Sequence, residues 1–490
     1  MRADELLLAK RQSALGLDRA ERQHRKGKLT ARERIDLLFD RDTFQELSIL
    51  SCPEKSLPGD GVITGFGKIN GQTVYCSADD FTVLGGSVGR THAEKKCRVM
   101  DLAYSSRCPY ISLNDSGGAR IDEGIVGLNG YGEIFRRNVK LSGVVPQIAV
   151  ILGPSAGGAC YSPALMDAVF MCKEHSLMFI TGPDVTKAVI FEENTDEELG
   201  GWLLHSTESS VASYAYETEE ECLESVRRFL SYLQIRKTDS SESETLSEVS
   251  NIVPENGRKT YDMTRLLSAI FDNDSLFLQK ELFAPNVITA LARIGGRSVG
   301  IVANQPEQLS GALDYKASIK IARFVQFCDA FSLPVITFVD VPAFMPGRNQ
   351  ERSGIIRHGA QVLFAYAQAS VPLITIILRK AYGGAYIAMG SKSLGADFCY
   401  AWPTAEIAVM GADGAVRVLH KRELDKLSAE EIKALEEEYR EKYSSPYEAE
   451  RALLVDEVIL PEETRDRIVG ALDALKNKVH CSENHRNIPL

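Results

Sequence analysis

Two glycine pairs, Gly157-Gly158 and Gly383-Gly384, each follow an apolar run and precede a helix-like segment. Glycine there lets the backbone take φ > 0 and come close to a ligand. The first amide N–H groups of a helix have no partner inside it and can point at an anion. Two such groups converging on a thioester oxygen make an oxyanion hole, and removing one donor typically costs about 10²–10³ in rate. A glycine pair can equally serve nothing but tight strand–helix packing; its recurrence at matching positions favours a shared chemical task. The segment Asp115-Ser-Gly-Gly-Ala-Arg120 is weaker alone, since a glycine-rich turn can be plain connection chemistry. Arg120 could face a phosphate or a neighbouring carboxylate. Other catalytic signatures are missing: there is no P-loop, no HExxH and no GxGxxG leading out of a strand, and the eight histidines lack metal-ligand spacing.

The elements that must position these turns come in two copies. Thr30-Ala-Arg-Glu33 reads as a capping box ahead of an apolar helical stripe. Asn70-Gly71 between two strand-like runs predicts a hairpin, and from about residue 94 strands alternate with helices. A polar, Ser- and Glu-rich stretch from Thr238 breaks the chain near its middle. After it the order repeats, with Ile294-Gly-Gly-Arg297 as a second hairpin and Leu333-Pro-Val-Ile-Thr-Phe-Val-Asp340 answering Cys108-Pro-Tyr-Ile-Ser-Leu-Asn-Asp115. Gly157 follows Pro146, and Gly383 follows Pro372, by the same eleven residues. The chain is therefore expected to be α/β, with two tandem copies of one domain over residues 1–253 and 254–490.

Composition narrows the class further. At 490 residues the chain exceeds one hydrophobic core. The balance of 56 basic and 67 acidic residues gives −11, which argues against a nucleic-acid binder. A basic cluster from Lys10 to Arg34 leaves room for a small polyanion. No secretory signal and no apolar run of membrane-spanning length is present, and ten cysteines form no CxxC pair. A cytoplasmic protein with reduced thiols, no structural metal and no membrane span is expected.

Several motifs carry a specific resemblance: Gly27-Lys-Leu-Thr-Ala-Arg-Glu-Arg-Ile35, Asp80-Phe-Thr-Val-Leu-Gly-Gly-Ser87, His92-Ala-Glu-Lys95, Asn114-Asp-Ser-Gly-Gly-Ala-Arg-Ile121, Gly182-Pro-Asp184, Glu197-Glu-Leu-Gly-Gly201, Ala401-Trp-Pro-Thr-Ala-Glu-Ile-Ala-Val-Met-Gly411 and the closing Asn487-Ile-Pro-Leu490. Together they resemble the carboxyltransferase β-subunit family of biotin-dependent propionyl-CoA and acetyl-CoA carboxylases, within the crotonase superfamily. The resemblance covers nearly the whole chain. It implies two tandem crotonase-like (ββα superhelix) domains, an acyl-CoA side and a biotin side. It implies transfer of CO2 from carboxybiotin, held on a biotin carboxylase or biotin carboxyl carrier partner, to the α-carbon of a short-chain acyl-CoA.

Decarboxylated biotin would itself take the α-proton, so only two oxyanion holes are needed. The resemblance assigns Gly157 and Gly158 to the acyl-CoA hole, and Gly384 with Ala385 to the biotin hole. It places the CoA wall at Ser116, Gly117, Gly118, Ala119 and Arg120, and biotin contacts at Phe344, Tyr382 and Gly383. Ile387 stands where propionyl-CoA-preferring members usually carry Asp, which implies a permissive acyl pocket. Phe191 stands where glycine is common, Trp202 where alanine is common, and Ala343 where Pro-Gly-Phe is usual. A homohexamer, three dimers in a ring, is implied as well. Two readings stay open: the same subunit of a biotin-dependent decarboxylase, and a crotonase-type hydratase or isomerase, which would need positioned carboxylates and only one domain.

Overall fold

A computed structural model of the chain describes residues 3–15, 19–51, 58–233, 249–422 and 427–479. Among them two compact units separate, one ending at Leu233 and the other holding residues 249–479. Val249 and Val253 are buried in the second unit's core, so the boundary expected after residue 253 moves ahead of Val249.

The first unit is built on β1 (Gln45–Leu47), β2 (Val62–Ile69), β3 (Gln72–Asp79), β4 (Tyr110–Ser116), β5 (Gln147–Ala156), β6 (Ala168–Cys172), β7 (Leu177–Phe179) and β8 (Tyr214–Tyr216). The sheet runs β1-β2-β3-β4-β5-β6-β8, with β7 on the far end of β5. Its first two pairings are antiparallel and the rest parallel. Asn70 (φ 50°) and Gly71 (φ 78°) close the β2–β3 hairpin, as the Asn-Gly pair predicts. Beyond it the parallel steps β3–β4 and β4–β5 cross over through the helices Arg90–Ser106 and Ile125–Leu141. Every residue of β4 is buried, the pattern of a parallel strand covered on both faces.

The second unit repeats the plan with β9 (Phe277–Gln279), β10 (Val287–Ile294), β11 (Arg297–Asn304), β12 (Val335–Val341), β13 (Leu373–Tyr382), β14 (Phe398–Ala401), β15 (Glu406–Ala408) and β16 (Glu457–Val458). Its order is β9-β10-β11-β12-β13-β14-β16, with β15 on β13. The register repeats too. Val62 pairs Asp79 as Val287 pairs Asn304, and Tyr75 pairs Tyr110 as Gly300 pairs Val335. A further equivalence was not read from the sequence. Lys95 Nζ donates to the carbonyls of Gly59 and Val62 at 2.8 and 2.5 Å. Lys320 Nζ donates to those of Phe283, Ala284 and Val287 at 2.8, 3.3 and 2.7 Å. Each lysine satisfies main-chain acceptors where its hairpin begins. No helix among the described residues is long and apolar enough to cross a membrane.

At the C-terminal end of the fourth strand of each unit lies a buried aspartate. Asp115 accepts from Lys28 Nζ at 2.6 Å and Arg34 Nη1 at 2.9 Å, and Arg34 continues to Glu219 through Nε at 2.6 Å and Nη2 at 2.9 Å. Asp340 instead accepts from Arg379 Nε at 2.9 Å, with Nη2 at 2.8 Å. The third nitrogen, Arg379 Nη1, donates to the carbonyls of Pro254, Asn256 and Lys259. Removing one partner of a buried pair leaves an uncompensated charge, which costs about 3–5 kcal/mol. Arg379→Met is expected to destabilise the second unit by about that amount. Urea unfolding should then show its transition at lower denaturant with an unchanged slope, and an unmoved midpoint would refute the role.

Candidate active site

Both glycine turns arise in the same way. At its end β5 pairs with β7, Ala156 opposite Phe179, and the chain then turns through Gly157 at φ 59° into the helix Gly158–Ala164. At its end β13 pairs with β15, Tyr382 opposite Ala408, and turns through Gly383 at φ 58° into the helix Gly383–Ala388. Only glycine takes that backbone without strain, which explains one glycine of each pair. The other has a different cause in each unit. A Cβ on Gly158 would stand 2.7 Å from the ring of Tyr131, so the packed aromatic demands glycine. A Cβ on Gly384 would meet nothing within 4 Å.

The donors differ from expectation in the first unit. The Gly157 N–H donates to the Phe179 carbonyl at 3.1 Å, so it is committed to the sheet and is no oxyanion donor. The amides of Gly158 and Ala159 open the helix, where no carbonyl four residues back can accept from them. They stand at the register of Gly384 and Ala385. Ala159 was missed in the sequence, although the shared spacing from Pro146 and Pro372 sets it opposite Ala385. Side chains pin the turn: Ser155 Oγ donates to the Ala159 carbonyl at 2.9 Å, and Cys160 Sγ to that of Gly157 at 3.0 Å.

The Ser116–Arg120 loop lies beside this turn, since a Cβ on Gly118 would come within 3.0 Å of the Ala156 carbonyl. Its polar side chains are occupied within the protein. Ser116 Oγ donates to the Gly86 carbonyl at 2.7 Å and accepts from the Gly118 N–H at 3.2 Å. Arg120, expected to contact substrate, is buried; its Nη1 donates to Asp60 at 2.6 Å and Glu123 at 2.8 Å, and its Nη2 to the Ser87 carbonyl at 3.0 Å. That guanidinium holds the loop and faces no open space. What the loop presents is main chain, with Gly117 exposed and Ala119 half-buried. The nearby run Gly85-Gly86-Ser87-Val88-Gly89 has G-x-S-x-G spacing, but Ser87 sits in extended backbone at φ −67°, not in a strained elbow.

In the second unit Phe344 stands where Ala119 stands in the first: Leu313 bridges Phe344 as Val88 bridges Ala119. The Phe344 ring packs over Gly359. Tyr382 donates its hydroxyl to Glu406 Oε2, and burial together with that carboxylate pushes its ionisation up, so it stays a neutral phenol. Ile387 is exposed in the first turns of its helix, and Tyr161 is exposed at the equivalent place in the first unit. The Ala343 carbonyl accepts from the Leu313 N–H at 3.0 Å. Trp202 is half-buried against the first unit's core with Lys173 Nζ 4.6 Å over its ring, so its bulk is packing. Phe191 ends the helix Pro183–Ile190 in the left-handed region at φ 61° and is 86% exposed, a conformation in which glycine costs nothing.

Similar proteins agree with this architecture. The carboxyl transferase domain family matches residues 22–488. The carboxyltransferase subunit of propionyl-CoA carboxylase from Haloferax mediterranei is 51% identical, over 100% of this chain and 99% of that protein. The alpha subunit of methylmalonyl-CoA decarboxylase from Veillonella parvula is 47% identical, over 99% of this chain and 97% of its own length. Transcarboxylase 12S, whose crystal structure describes a hexamer with methylmalonyl-coenzyme A bound, superposes with a TM-score of 0.92 at 44% identity, covering 99% of this chain and 98% of that one. The duplicated fold is thus that of the crotonase-like carboxyltransferases, and the chain belongs to the carboxyl transferase family.

Proposed function

We propose that the chain is the carboxyltransferase subunit of a biotin-dependent acyl-CoA carboxylase, acting on short-chain substrates such as acetyl-CoA and propionyl-CoA to give malonyl-CoA and methylmalonyl-CoA. The observation that carries this reading is the pair of equivalent turns, each opening a helix with amides free of an i−4 carbonyl. Gly158 and Ala159 take the thioester oxygen of the acyl-CoA as charge develops on it. The exposed main chain around Gly117 borders the CoA. Gly384 and Ala385 take the ureido oxygen of biotin, beside Phe344, Tyr382 and Gly383. The open space over Gly384 fits a group that must approach the backbone closely. Carboxybiotin on its carrier supplies the CO2 and, once the carboxyl group has left, the base for the α-proton. The chain's own part is electrostatic, supplied by main-chain amides, and the second domain copy disfavours a hydratase or isomerase, which would need only one.

The first unit is accordingly the acyl-CoA side and the second the biotin side. The site is completed between subunits of a cytoplasmic homohexamer, a trimer of dimers, served by a biotin carboxylase and biotin carboxyl carrier partner. The likeness to a decarboxylase subunit favours one second reading, the same chemistry run in reverse. Assay of the assembled holoenzyme in both directions decides between them.

Two substitutions test the assignment. Gly384→Ala keeps the N–H and adds a methyl group that meets nothing in the folded chain, so its melting temperature should stay within a degree or so, while a methyl that holds the ligand ~1 Å off the amides should cut turnover with carboxybiotin by about 10². Normal turnover in that variant removes the second hole from the reading. Ile387 offers apolar contact, and one methylene in such a pocket discriminates by only about 1–3 kcal/mol. The wild type is therefore expected to use acetyl-, propionyl- and butyryl-CoA with kcat/KM values within roughly a hundredfold of one another. Ile387→Asp should shift the preference toward propionyl-CoA, and strict specificity unmoved by the substitution would show that position 387 does not set acyl choice.

A further inference from the structure

Beneath the first turn lies a small cavity of about 10 Å³, lined by Asp79, Lys96, Asn114, Ser116, Tyr131 and Ala159 among others, all of them buried. That volume is about what one water molecule needs. Its polar lining is almost wholly satisfied from within. Tyr110 Oη pairs with Ser77 at 2.7 Å, Ser162 Oγ donates to Asn138 at 2.9 Å, Ser112 and Asn114 bond each other, and Ser116 Oγ donates to the Gly86 carbonyl. One group is left over. Tyr131 is 3% exposed; its hydroxyl lies by Ser116, whose own proton goes to the Gly86 carbonyl, and makes no hydrogen bond of ordinary geometry among the described residues. A buried hydroxyl left unmade costs about 1–3 kcal/mol. Lys96 Nζ, at the same cavity, uses a proton on Asp79 Oδ1 at 2.7 Å and has others to give.

The second unit tells what this pocket is not. At the equivalent strand and helix positions Asp79 becomes Asn304, Lys96 becomes Ile321, Tyr110 becomes Val335, Asn114 becomes Val339 and Ser116 becomes Val341. The equivalent lining in the second unit is thus mostly apolar, with Asn304 and Thr337 its remaining polar members and Thr337 already bonded to Tyr366 Oη at 2.8 Å. Its turn also lacks an aromatic strut, since nothing stands against Gly384, whereas Tyr131 ring atoms lie 2.7–3.0 Å from where a Gly158 Cβ would be.

We propose that the cavity is an internal water site, and that the water and Tyr131 act together as a positioning device for the Gly158–Ala159 turn. The water accepts from Lys96 and bonds the Tyr131 hydroxyl, fixing the ring whose face holds the Gly158 peptide. Tyr131 is a positioning residue: it acts through the two amides and touches no substrate. This rests on the oxyanion role given to those amides above.

Two measurements test it on the intact holoenzyme. A high-resolution crystal structure of the wild type should show one ordered water within hydrogen-bond distance of Tyr131 Oη; an empty cavity overturns the proposal whatever the enzyme's activity. Tyr131→Phe keeps the ring and removes the anchor. Its kcat for carboxylation should fall roughly tenfold or more, as a small misplacement of catalytic groups does, with KM for the acyl-CoA and the hexamer unchanged. An unchanged kcat, or a loss confined to KM, overturns it. Should the wild type carry no carboxyl group between biotin and acyl-CoA, the functional reading fails, while the water peak still decides the site.

Discussion

Each unit depends on burying a carboxylate where its fourth strand ends. Taking an ion out of water costs several kcal/mol, recovered only when the counter-charge is held in good geometry. Asp115 and Asp340 meet that condition by different routes. The first draws Lys28 and Arg34 from the N-terminal segment, and burial pulls the Lys28 ammonium down while Asp115 holds it charged. The second draws Arg379 from the neighbouring strand β13. Position 379 in the second unit answers Gly153 in the first, where a Cβ would stand 2.0 Å from Asp115 Oδ1 and 2.5 Å from Lys28 Nζ. One space has been filled from two directions, and the glycine is what admits the distant lysine.

From this anchor the glycine turn of the first unit follows. Asp115 immediately precedes the Ser116–Arg120 loop, and the Asp115 carbonyl approaches Gly86 so closely that any Cβ there would stand 2.3 Å away. The Gly117 N–H donates to the Gly85 carbonyl at 2.9 Å, so the two glycine-rich loops lock together. Gly118 then abuts Ala156, the residue before the turn. Charge burial, loop closure and donor placement form one continuous arrangement, with no catalytic side chain in it.

Much of this could be read from residue order because it rests on short-range rules. The Asn70-Gly71 hairpin, the Thr30–Glu33 capping box and the equal spacing of both glycine turns are all local, and each recurs in the structure. What escaped reading is long-range. The Gly157 amide is spent because β7, some twenty residues on, lies against β5. Arg120 is spent because Asp60, sixty residues back, reaches it. The residues 249–253 look like the end of a linker until Val249 and Val253 are seen in a core built from strands far ahead. Trp202 was ambiguous because bulk in sequence says nothing of which side it packs on.

The two solutions to the buried aspartate also impose a timetable on the growing chain. Arg34 is made 185 residues before its partner Glu219 and 81 before Asp115. At about 5–20 residues per second, the N-terminal segment waits roughly ten to forty seconds for its last partner. Arg379 follows Asp340 by only 39 residues, a delay of a few seconds at the same speed. The first unit thus stays open at its charged centre while most of it is already synthesised, and the second closes its own almost as soon as it is made.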